Sequence, residues 1–418
     1  MRFRVLLVII TLLSVIGFYN YHNLLSPQII RAMFTLMVIV CGLVGWRWKN
    51  DDSITLNYPR WLWLLFITGL IASNFVCPFY HQQSLLTSLV ASSTAISAYI
   101  FMYSLILLRP DPQLLIKSLF IIAGASMIVY FINFLTFPNN MFGEPILEDL
   151  SRGMLRIHIP LFQILMFLYF YSIGKWHLEK SSIWLLASAG LLFCSVLSLT
   201  RQIILIMSII GFFQLLKNVS WVRKFIIGAS LAMIALVAYT QLPIFQTMQE
   251  LSENQIDATT SQQKEDVRIS DWRYFGYEGT DNIIPLLFGN GTPSATNSVW
   301  GRQLDAFMEE NGWFMADTSW PACLYQYGYV TTAILLTILF SAIVKRKTPT
   351  KGYLTYFFIA LFLRGIASGI WYYPDEIIVS ILGFYFLYAK DSTDMIPNRE
   401  TQCDSILLTY PRKFITKI

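Results

Sequence analysis

Charged residues and histidines are the scarce features of this sequence. Only 13% of the 418 residues are charged, and only four are histidine. Soluble domains carry about 25% charged residues. With 55% hydrophobic residues and a mean hydropathy of +0.54, the chain lies outside the soluble range. Four scattered histidines also make a histidine-rich metal site improbable. The composition predicts a polytopic membrane protein.

Cysteine spacing and nucleotide-binding motifs are lacking as well. The five cysteines show no CxxC spacing, so they predict neither a disulfide framework nor a metal site. The sequence contains no P-loop, GxGxxG, HExxH or internal repeat. We therefore predict that the protein uses no cofactor and no metal.

Long apolar runs are abundant. About 20 apolar residues cross a bilayer core about 30 Å thick. Runs near this length predict an all-α polytopic fold of about twelve transmembrane helices. Helices 1–9 fall within residues 1–241, a large loop covers 242–320, helices 10–12 fall within 321–389, and 390–418 form a tail. The predicted spans are 5–20, 29–46, 61–78, 85–108, 114–137, 159–174, 183–199, 202–216, 224–241, 322–344, 353–371 and 374–389.

Lysine and arginine positions predict the orientation. Cytoplasmic loops of membrane proteins collect these residues. With the N-terminus inside, 21 of the 30 lysines and arginines fall on the cytoplasmic side. Both termini are therefore predicted to be cytoplasmic and the large loop 242–320 to face outward. The net charge of +5 then reflects orientation and does not indicate a nucleic-acid partner.

The arginines that face outward are exceptions to this charge pattern. The large loop carries twelve acidic residues against four basic ones. Guanidinium groups bind phosphate well because they are always charged and make paired planar hydrogen bonds. Arginines grouped at the outer boundary of the membrane would suit a lipid-linked pyrophosphate. The candidates are Arg152, Arg156, Arg201, Arg268, Arg273 and Arg364.

Each arginine also has a structural interpretation. Arg201 would cap a helical hairpin or reach the lipid headgroups, and Arg152 and Arg156 would be interfacial anchors. Arg268 and Arg273 would pair with Asp266 or Asp271 on the loop surface. Arg364 lies inside an apolar run, where an arginine is costly and faces a polar interior, so its structural partner would be Asp375 or Glu376.

Short motifs at these positions resemble those of the bacterial O-antigen polymerase and O-antigen ligase superfamily. The motifs are SLTRQ with Arg201, RISDW with Arg268, PLLFGNG with Gly289 and Gly291, and DTSWPACLYQYGYV with Asp317. Members of this superfamily share about twelve spans and a large periplasmic loop late in the chain. The resemblance covers the organisation of most of the chain, through several short motifs in the expected order.

The resemblance implies a metal-independent membrane glycosyltransferase. It would act at the periplasmic face of the bacterial inner membrane on oligosaccharides linked to undecaprenyl pyrophosphate. Arg201, Arg268 and Asp317 would be catalytic, with the arginines stabilising the pyrophosphate leaving group and Asp317 serving the acceptor hydroxyl. The remaining arginines would bind substrate. The lipid bilayer would be a further partner, and a chain-length regulator protein is a candidate partner.

Two motifs keep alternative interpretations. Gly289 and Gly291 would either expose N–H groups to an anion or form a plain turn. Asp317 would either replace the ligase histidine or cap the following helix.

The large loop contains no histidine, whereas ligases place one late in this loop. This absence favours a polymerase of O-antigen or other polysaccharide repeat units over a ligase that transfers glycan to lipid A-core. A transporter or flippase of lipid-linked oligosaccharide is the third alternative, although transporters usually show repeated halves. We also predict that 268–315 forms an ordered aromatic cover that brings Arg268 and Arg273 towards Arg201, attached to a mobile segment near 250–264.

Overall fold

The computed structural model describes most of the membrane-like part of the chain and the second part of the large loop. The described residues are 2–17, 20–21, 24–48, 58–137, 139, 141–142, 147–149, 154–156, 162–197, 201–220, 222–226, 230 and 267–389.

The first five helices begin and end at residues with clear local causes. They are α1 (Arg2–Ile16), α2 (Pro27–Arg47), α3 (Arg60–Tyr80), α4 (Leu85–Leu108) and α5 (Pro112–Thr136). Ser26, Ser84 and Asp111 cap α2, α4 and α5 by accepting hydrogen bonds from first-turn N–H groups. Gly17, at a φ of +65°, directly follows α1.

Two short strands interrupt the helical pattern. β1 (Leu147–Asp149) pairs antiparallel with β2 (Met154–Arg156), with Leu147 opposite Arg156. Among the described residues the fold is predominantly helical, in agreement with the predicted all-α class. Three helices follow, α6 (Phe162–Glu179), α7 (Ser182–Leu197) and α8 (Arg201–Leu215).

The described part of the large loop is built from short helices, and we name residues 267–318 the loop unit. It contains α9 (Val267–Arg273), a π-helical turn (Tyr274–Glu278), α10 (Ile283–Phe288), α11 (Val299–Asn311) and a 3₁₀ turn (Met315–Asp317). The chain continues through α12 (Ser319–Val344), α13 (Tyr353–Arg364) and α14 (Pro374–Tyr388).

The apolar helices support a membrane-embedded protein. Within the described ranges, five helices are long and apolar enough to cross a membrane. They are Gln28–Arg47, Arg60–Tyr80, Leu85–Leu108, Pro112–Thr136 and Ser319–Val344. Ser182–Leu197 and Gln202–Leu215 are shorter apolar helices. Most of the predicted ninth span, 224–241, lies outside the described residues.

The eleventh predicted span, 353–371, is wrong in its last third. The helix α13 ends at Arg364, and residues 365–373 form a turn before α14. An added Cβ at Gly369 would lie 2.3 Å from the Ala316 carbonyl oxygen, so a close backbone approach occupies this place. Apolar composition continues through the turn, which is why the run alone predicted a longer helix. Arg364 consequently lies at a helix end rather than inside a span.

The buried apolar residues form two clusters. The larger one extends through the long helices and includes Trp63, Phe167, Phe357 and Trp371. The smaller one lies where the loop unit meets α12, with Phe275, Leu304, Met315, Ala322 and Tyr325 at its centre. Tyr274, Phe307 and Trp313 pack against it. The loop unit thus has an aromatic core continuous with the beginning of α12.

Candidate functional site

Arg364 is the most buried charged side chain that we predicted as a site residue. It lies at the end of α13 with only 2% of its surface exposed. Its Nη1 lies 2.9 Å from Glu376 Oε2, and its Nη2 donates to Glu376 Oε1 at 3.0 Å and to Ser368 Oγ at 3.2 Å. Of the two partners expected for Arg364, the structure therefore shows pairing with Glu376. A buried charge needs such a partner to offset its loss of hydration.

Neutral side chains complete this buried group. Arg364 Nη1 also donates to Gln163 Oε1, and Gln163 Nε2 donates to Ser380 Oγ at 3.2 Å. The buried Nε of Arg364 has no hydrogen-bond partner within the described structure. The guanidinium is thus enclosed by α6, α14 and the turn, and in this arrangement it presents almost no surface to a substrate. Its role in substrate binding stays a prediction.

The backbone around Arg364 joins two elements that carry predicted catalytic arginines. We name residues 364–373 the Arg364 turn. Gln202, the second residue of α8, donates through Nε2 to the Arg364 carbonyl oxygen at 3.1 Å. The beginning of α8 therefore lies beside this turn, and the side chain of Arg201 lies outside the described structure. Trp272 of α9 donates through Nε1 to the Ile366 carbonyl oxygen at 2.9 Å.

Arg268 lies four residues before Trp272 on α9. Residues i and i+4 share one face of a helix, so Arg268 lies on the same face as the side chain that contacts the Arg364 turn. Arg268 is exposed, whereas Asp271 of the same helix is completely buried. The exposed Arg268 thus belongs to a helix that contacts the Arg364 turn, and its approach to Arg201 under a cover stays a prediction. The segment 250–264 of that prediction lies outside the described residues.

Asp317 reaches the same turn from the other side. The next two residues are Thr318, the N-cap position of α12, and Ser319. The N–H groups of Ser319 and Trp320 both donate to the Gly365 carbonyl oxygen at 3.1 Å, and Ser319 Oγ donates to the Ser368 carbonyl oxygen. Asp317 itself is exposed.

The pKa of the Tyr373 hydroxyl depends on the charged residues near this side of the turn. Burial raises the pKa of its hydroxyl, and the nearby Tyr372, Asp317, Asp375 and Glu376 raise it further. Asp317 therefore lies within electrostatic range of two acidic residues at the beginning of α14. Two of these acidic groups differ in their surroundings, since Glu376 is paired with Arg364 whereas Asp317 is exposed.

Gly289 and Gly291 lie in a second junction, which we name the Gly289 lock, residues 289–291. The helix α12 is broken at Gly328, where φ is +79° and ψ is 168°. The Asn290 and Gly291 N–H groups donate to the Tyr325 and Gln326 carbonyl oxygens at 2.9 and 3.0 Å.

The N–H of Gly289 is also used inside the protein, since it donates to the Pro285 carbonyl oxygen at 2.7 Å. The three N–H groups that would form an anion-binding nest thus bond to protein carbonyls. The geometry corresponds to the turn interpretation, and a direct role of both glycines in substrate binding stays a prediction.

Side chains of α3 and the following turn hold the Gly289 lock from the other direction. His81 Nε2 and Asn290 Oδ1 are 2.8 Å apart, and Cys77 Sγ donates to the Asn290 carbonyl oxygen at 2.9 Å. Gln83 Nε2 donates to the Thr292 carbonyl oxygen at 2.8 Å. His81 also stacks on Trp300, with ring centroids 4.1 Å apart. The loop unit is thus attached to both α12 and the α3–α4 connection.

The other predicted arginines are Arg152, Arg156 and Arg273. Arg273 Nε lies 3.8 Å from Glu278 Oε1 in an exposed pair, a partner different from the expected Asp266 or Asp271. Arg156 is the last residue of β2, and its side chain lies outside the described structure, as does Arg152 altogether. The structure therefore does not show whether these two residues join the site.

Two polar residues near the site were missed by sequence reasoning. Gln163 follows the first residue of α6 and carries no sequence signal beyond being an amide in an apolar run. Arg31 of α2 influences the hydroxyl of Tyr372, whose pKa is raised by burial and by Asp305 and lowered by Arg31. Arg31 was recognisable as one of the nine basic residues that do not fall on the predicted cytoplasmic side, although no neighbouring motif distinguished it.

Two further findings concern metal ligation and family membership. Within the described ranges, no group of three or more His, Cys, Asp or Glu side chains is arranged to hold a metal ion. No protein-family model matches the chain. No curated protein matches it significantly.

Proposed function

We propose that the protein polymerises lipid-linked oligosaccharide repeat units of an O-antigen or another surface polysaccharide. It would act at the periplasmic face of the bacterial inner membrane, with twelve spans and cytoplasmic termini. The observation that carries the proposal is the meeting of three separate segments at the Arg364 turn. Gln202 beside Arg201, Trp272 on the face of Arg268, and Ser319 beside Asp317 all hydrogen-bond to this turn.

The arginines supply the leaving-group chemistry of this proposal. Glycosyl transfer from an undecaprenyl-pyrophosphate donor breaks the bond between the sugar and the pyrophosphate. Negative charge then develops on the pyrophosphate, and guanidinium groups held in advance near it stabilise that charge. Arg268 is exposed on the loop unit and Arg201 begins α8, so both would reach a headgroup at the membrane boundary.

Asp317 supplies the acceptor chemistry. A hydroxyl of the acceptor sugar must lose a proton as it attacks the anomeric carbon, and a carboxylate can take that proton. The exposed position of Asp317 would leave its carboxylate accessible to an acceptor sugar. The 3₁₀ turn that carries it contacts α9, so base and arginine would lie on adjoining elements.

Arg364 has a positioning role in this proposal. Its guanidinium is paired with Glu376, while its main chain accepts the hydrogen bond from Gln202. The Arg364–Glu376 pair holds the end of α13 against α14. The Arg364 turn then holds α8, α9 and α12 through its hydrogen bonds. Arg364 would therefore support the arginines that contact the substrate without contacting it itself.

The experiment compares arginine variants in a strain that lacks the chromosomal copy. We expect Arg268→Lys and Arg201→Lys to shorten the surface polysaccharide on a gel, because lysine keeps the charge but loses the planar paired hydrogen bonds. Arg302→Lys is the matched control, since Arg302 is an exposed arginine of the loop unit that donates to the Thr296 carbonyl oxygen. It should retain full polymer length.

The pattern in the deletion strain separates the candidate functions. Single repeat units on lipid A-core indicate a lost polymerase, whereas bare lipid A-core indicates a lost ligase or a lost transporter. Accumulation of undecaprenyl-linked units on the cytoplasmic side would identify the transporter. Full-length polymer in both lysine variants, with normal amounts of protein in the membrane, would remove Arg201 and Arg268 from the site.

A further inference from the structure

The short helix α10 of the loop unit has an apolar surface that no described residue covers. Its sequence is IIPLLF, and four of its six side chains are exposed: Ile283 62%, Ile284 45%, Leu287 37% and Phe288 46%. Scattered exposed apolar residues are ordinary, but a contiguous apolar patch marks an interaction surface. The helix α11 of the same unit is more polar, with the sequence VWGRQLDAFMEEN.

This apolar helix lies beside two membrane-spanning helices and within their length. It packs against both α3 and α12, which are long and apolar enough to cross a membrane. An added Cβ at Gly328 would lie 2.4 Å from the Leu287 carbonyl oxygen. Gly328 lies nine residues after Ser319, about 14 Å along α12 at 1.5 Å per residue. The end of α10 therefore lies beside the break of α12, within the apolar helix Ser319–Val344.

The neighbouring α3 provides an independent observation on the segment that follows α10. An added Cβ at Gly291 would lie 2.6 Å from Cys77 Sγ and 3.0 Å from the Ser73 carbonyl oxygen. Ser73 and Cys77 precede the end of α3 at Tyr80 by about 10 Å and 5 Å, at 1.5 Å per residue. The segment after α10 thus passes alongside α3 below its end.

The N–H groups of this irregular segment meet the condition for entering hydrocarbon. Irregular backbone occurs at membrane depth only where protein groups bind its N–H and C=O groups, because water is absent. The N–H groups of Gly289, Asn290 and Gly291 all bond to carbonyl oxygens, and the Asn290 carbonyl accepts from Cys77 Sγ. The carbonyls of Tyr325 and Gln326, which the break at Gly328 frees from α12, are bound by the same segment.

We propose that residues 283–291 form a re-entrant element that dips into the leaflet nearest the loop unit, with the exposed side of α10 in contact with lipid acyl chains. Acyl chains fit better than a second protein copy because Phe75 and Phe79 of α3, which α10 packs against, are themselves 51% and 82% exposed. The exposed side chains of α10 thus lie on a helix that packs against a candidate membrane span with exposed aromatic side chains of its own. This inference does not rest on the proposed glycosyl transfer.

The test places a photoreactive diazirine amino acid at residue 283 or at residue 299 of the full chain. Ile283 and Val299 are a matched pair, since both are aliphatic residues of the loop unit and their exposures are 62% and 63%. The protein is reconstituted in nanodiscs of phosphatidylethanolamine and phosphatidylglycerol and illuminated, and the adducts are identified by mass spectrometry. We expect a several-fold excess of acyl-chain adducts at 283 over 299, where water adducts should dominate.

Three results would overturn the re-entrant element. They are mainly water adducts at 283, equal lipid labelling at 283 and 299, and a crosslinked dimer through 283. A probe at Leu287, also exposed on α10, repeats the measurement if the first variant does not fold. The lipid labelling is read without any enzymatic assay, so it stands or fails separately from the proposed function.

Discussion

The Arg364 turn and the Gly289 lock are two buried polar junctions of one molecule with opposite construction. In the Arg364 turn, a guanidinium and a carboxylate provide the central contact, and Gln163 and Ser368 complete it. In the Gly289 lock, main-chain N–H and C=O groups provide most of the contacts, and the side chains Asn290, His81 and Cys77 are uncharged or only weakly basic. Both junctions connect the loop unit, or the elements next to it, to the long helices.

The two constructions make different substitutions harmful. A junction of paired charges depends on both charges being present, because one left alone keeps its full cost of burial. A junction of main-chain groups tolerates changes of side chain but has no space for an added atom between the two backbones. The first should therefore be sensitive to charge removal, and the second to the smallest increase in size.

The largest effect is expected from Gly289→Ala in the lock. Gly289 has φ of +93°, and its Cβ would lie 2.3 Å from the Gln326 carbonyl oxygen, so backbone must move. We expect a loss of more than about 4 kcal/mol in the free energy of unfolding, measured by thermal unfolding in nanodiscs.

Gly312→Ala is the matched control for this substitution. Gly312 also has a positive φ, +69°, but no atom lies within 4 Å of its added Cβ. Only the left-handed backbone then costs energy, about 1–2 kcal/mol. Equal losses in the two variants would mean that close backbone packing does not hold the lock.

An intermediate effect is expected from breaking the charge pair of the Arg364 turn. Glu376→Gln leaves the buried guanidinium without its carboxylate, and we expect a loss of about 3–5 kcal/mol by the same measurement. Replacing both partners by methionine should recover part of this loss, because no single buried charge remains.

The exposed pair Arg273–Glu278 provides the control within the loop unit. Both of its side chains are largely solvent-exposed, so Glu278→Gln should change the stability by about 0–1 kcal/mol. If Glu376→Gln were as mild as Glu278→Gln, the Arg364 pair would not be the centre of its junction.

The smallest effect concerns pH at the lock. Burial lowers the pKa of His81 below its ordinary 6.5, and its hydrogen bond with Asn290 opposes this shift. Between pH 6.5 and the lowered value, the unfolded chain binds a proton that the folded protein does not, so stability is lost as the pH falls through that window. Hydrogen exchange at Asn290 and Gly291 should then show less protection.

His81→Gln is the control because glutamine does not titrate. In the His81→Gln variant, the protection of the Asn290 and Gly291 amides should not depend on pH, apart from the intrinsic pH dependence of the exchange rate. If the wild-type protein and His81→Gln respond identically, protonation of His81 has no part in the strength of the lock.

Much of the helix layout was accessible from the sequence. The span predicted at 85–108 coincides with α4, and 374–389 differs from α14 by a single residue, because Ser84 and Pro374 mark where the helices begin. The ordered character of the loop unit followed from its aromatic residues, and these do form its core. Local signals of this kind depend only on residues near each other in the chain.

The contacts between distant segments could not be derived in the same way. Gln163 and Arg364 are 201 residues apart, and no pattern in either segment indicates their contact. The break of α12 was also not predicted, since glycine at 328 in an apolar run is compatible with an unbroken helix. Only the position of the Gly289 lock beside it explains why the helix opens there.

The break at Gly328 has a consequence for the time at which the contacts of the Gly289 lock can form during synthesis. Asn290 is synthesised 35 residues before Tyr325, whose carbonyl it binds. At roughly 5–20 residues per second, this interval lasts about 2–7 s. During that time the Asn290 and Gly291 N–H groups have no helix to bind and must remain hydrated. The lock can therefore form only after its partner helix α12 has left the ribosome.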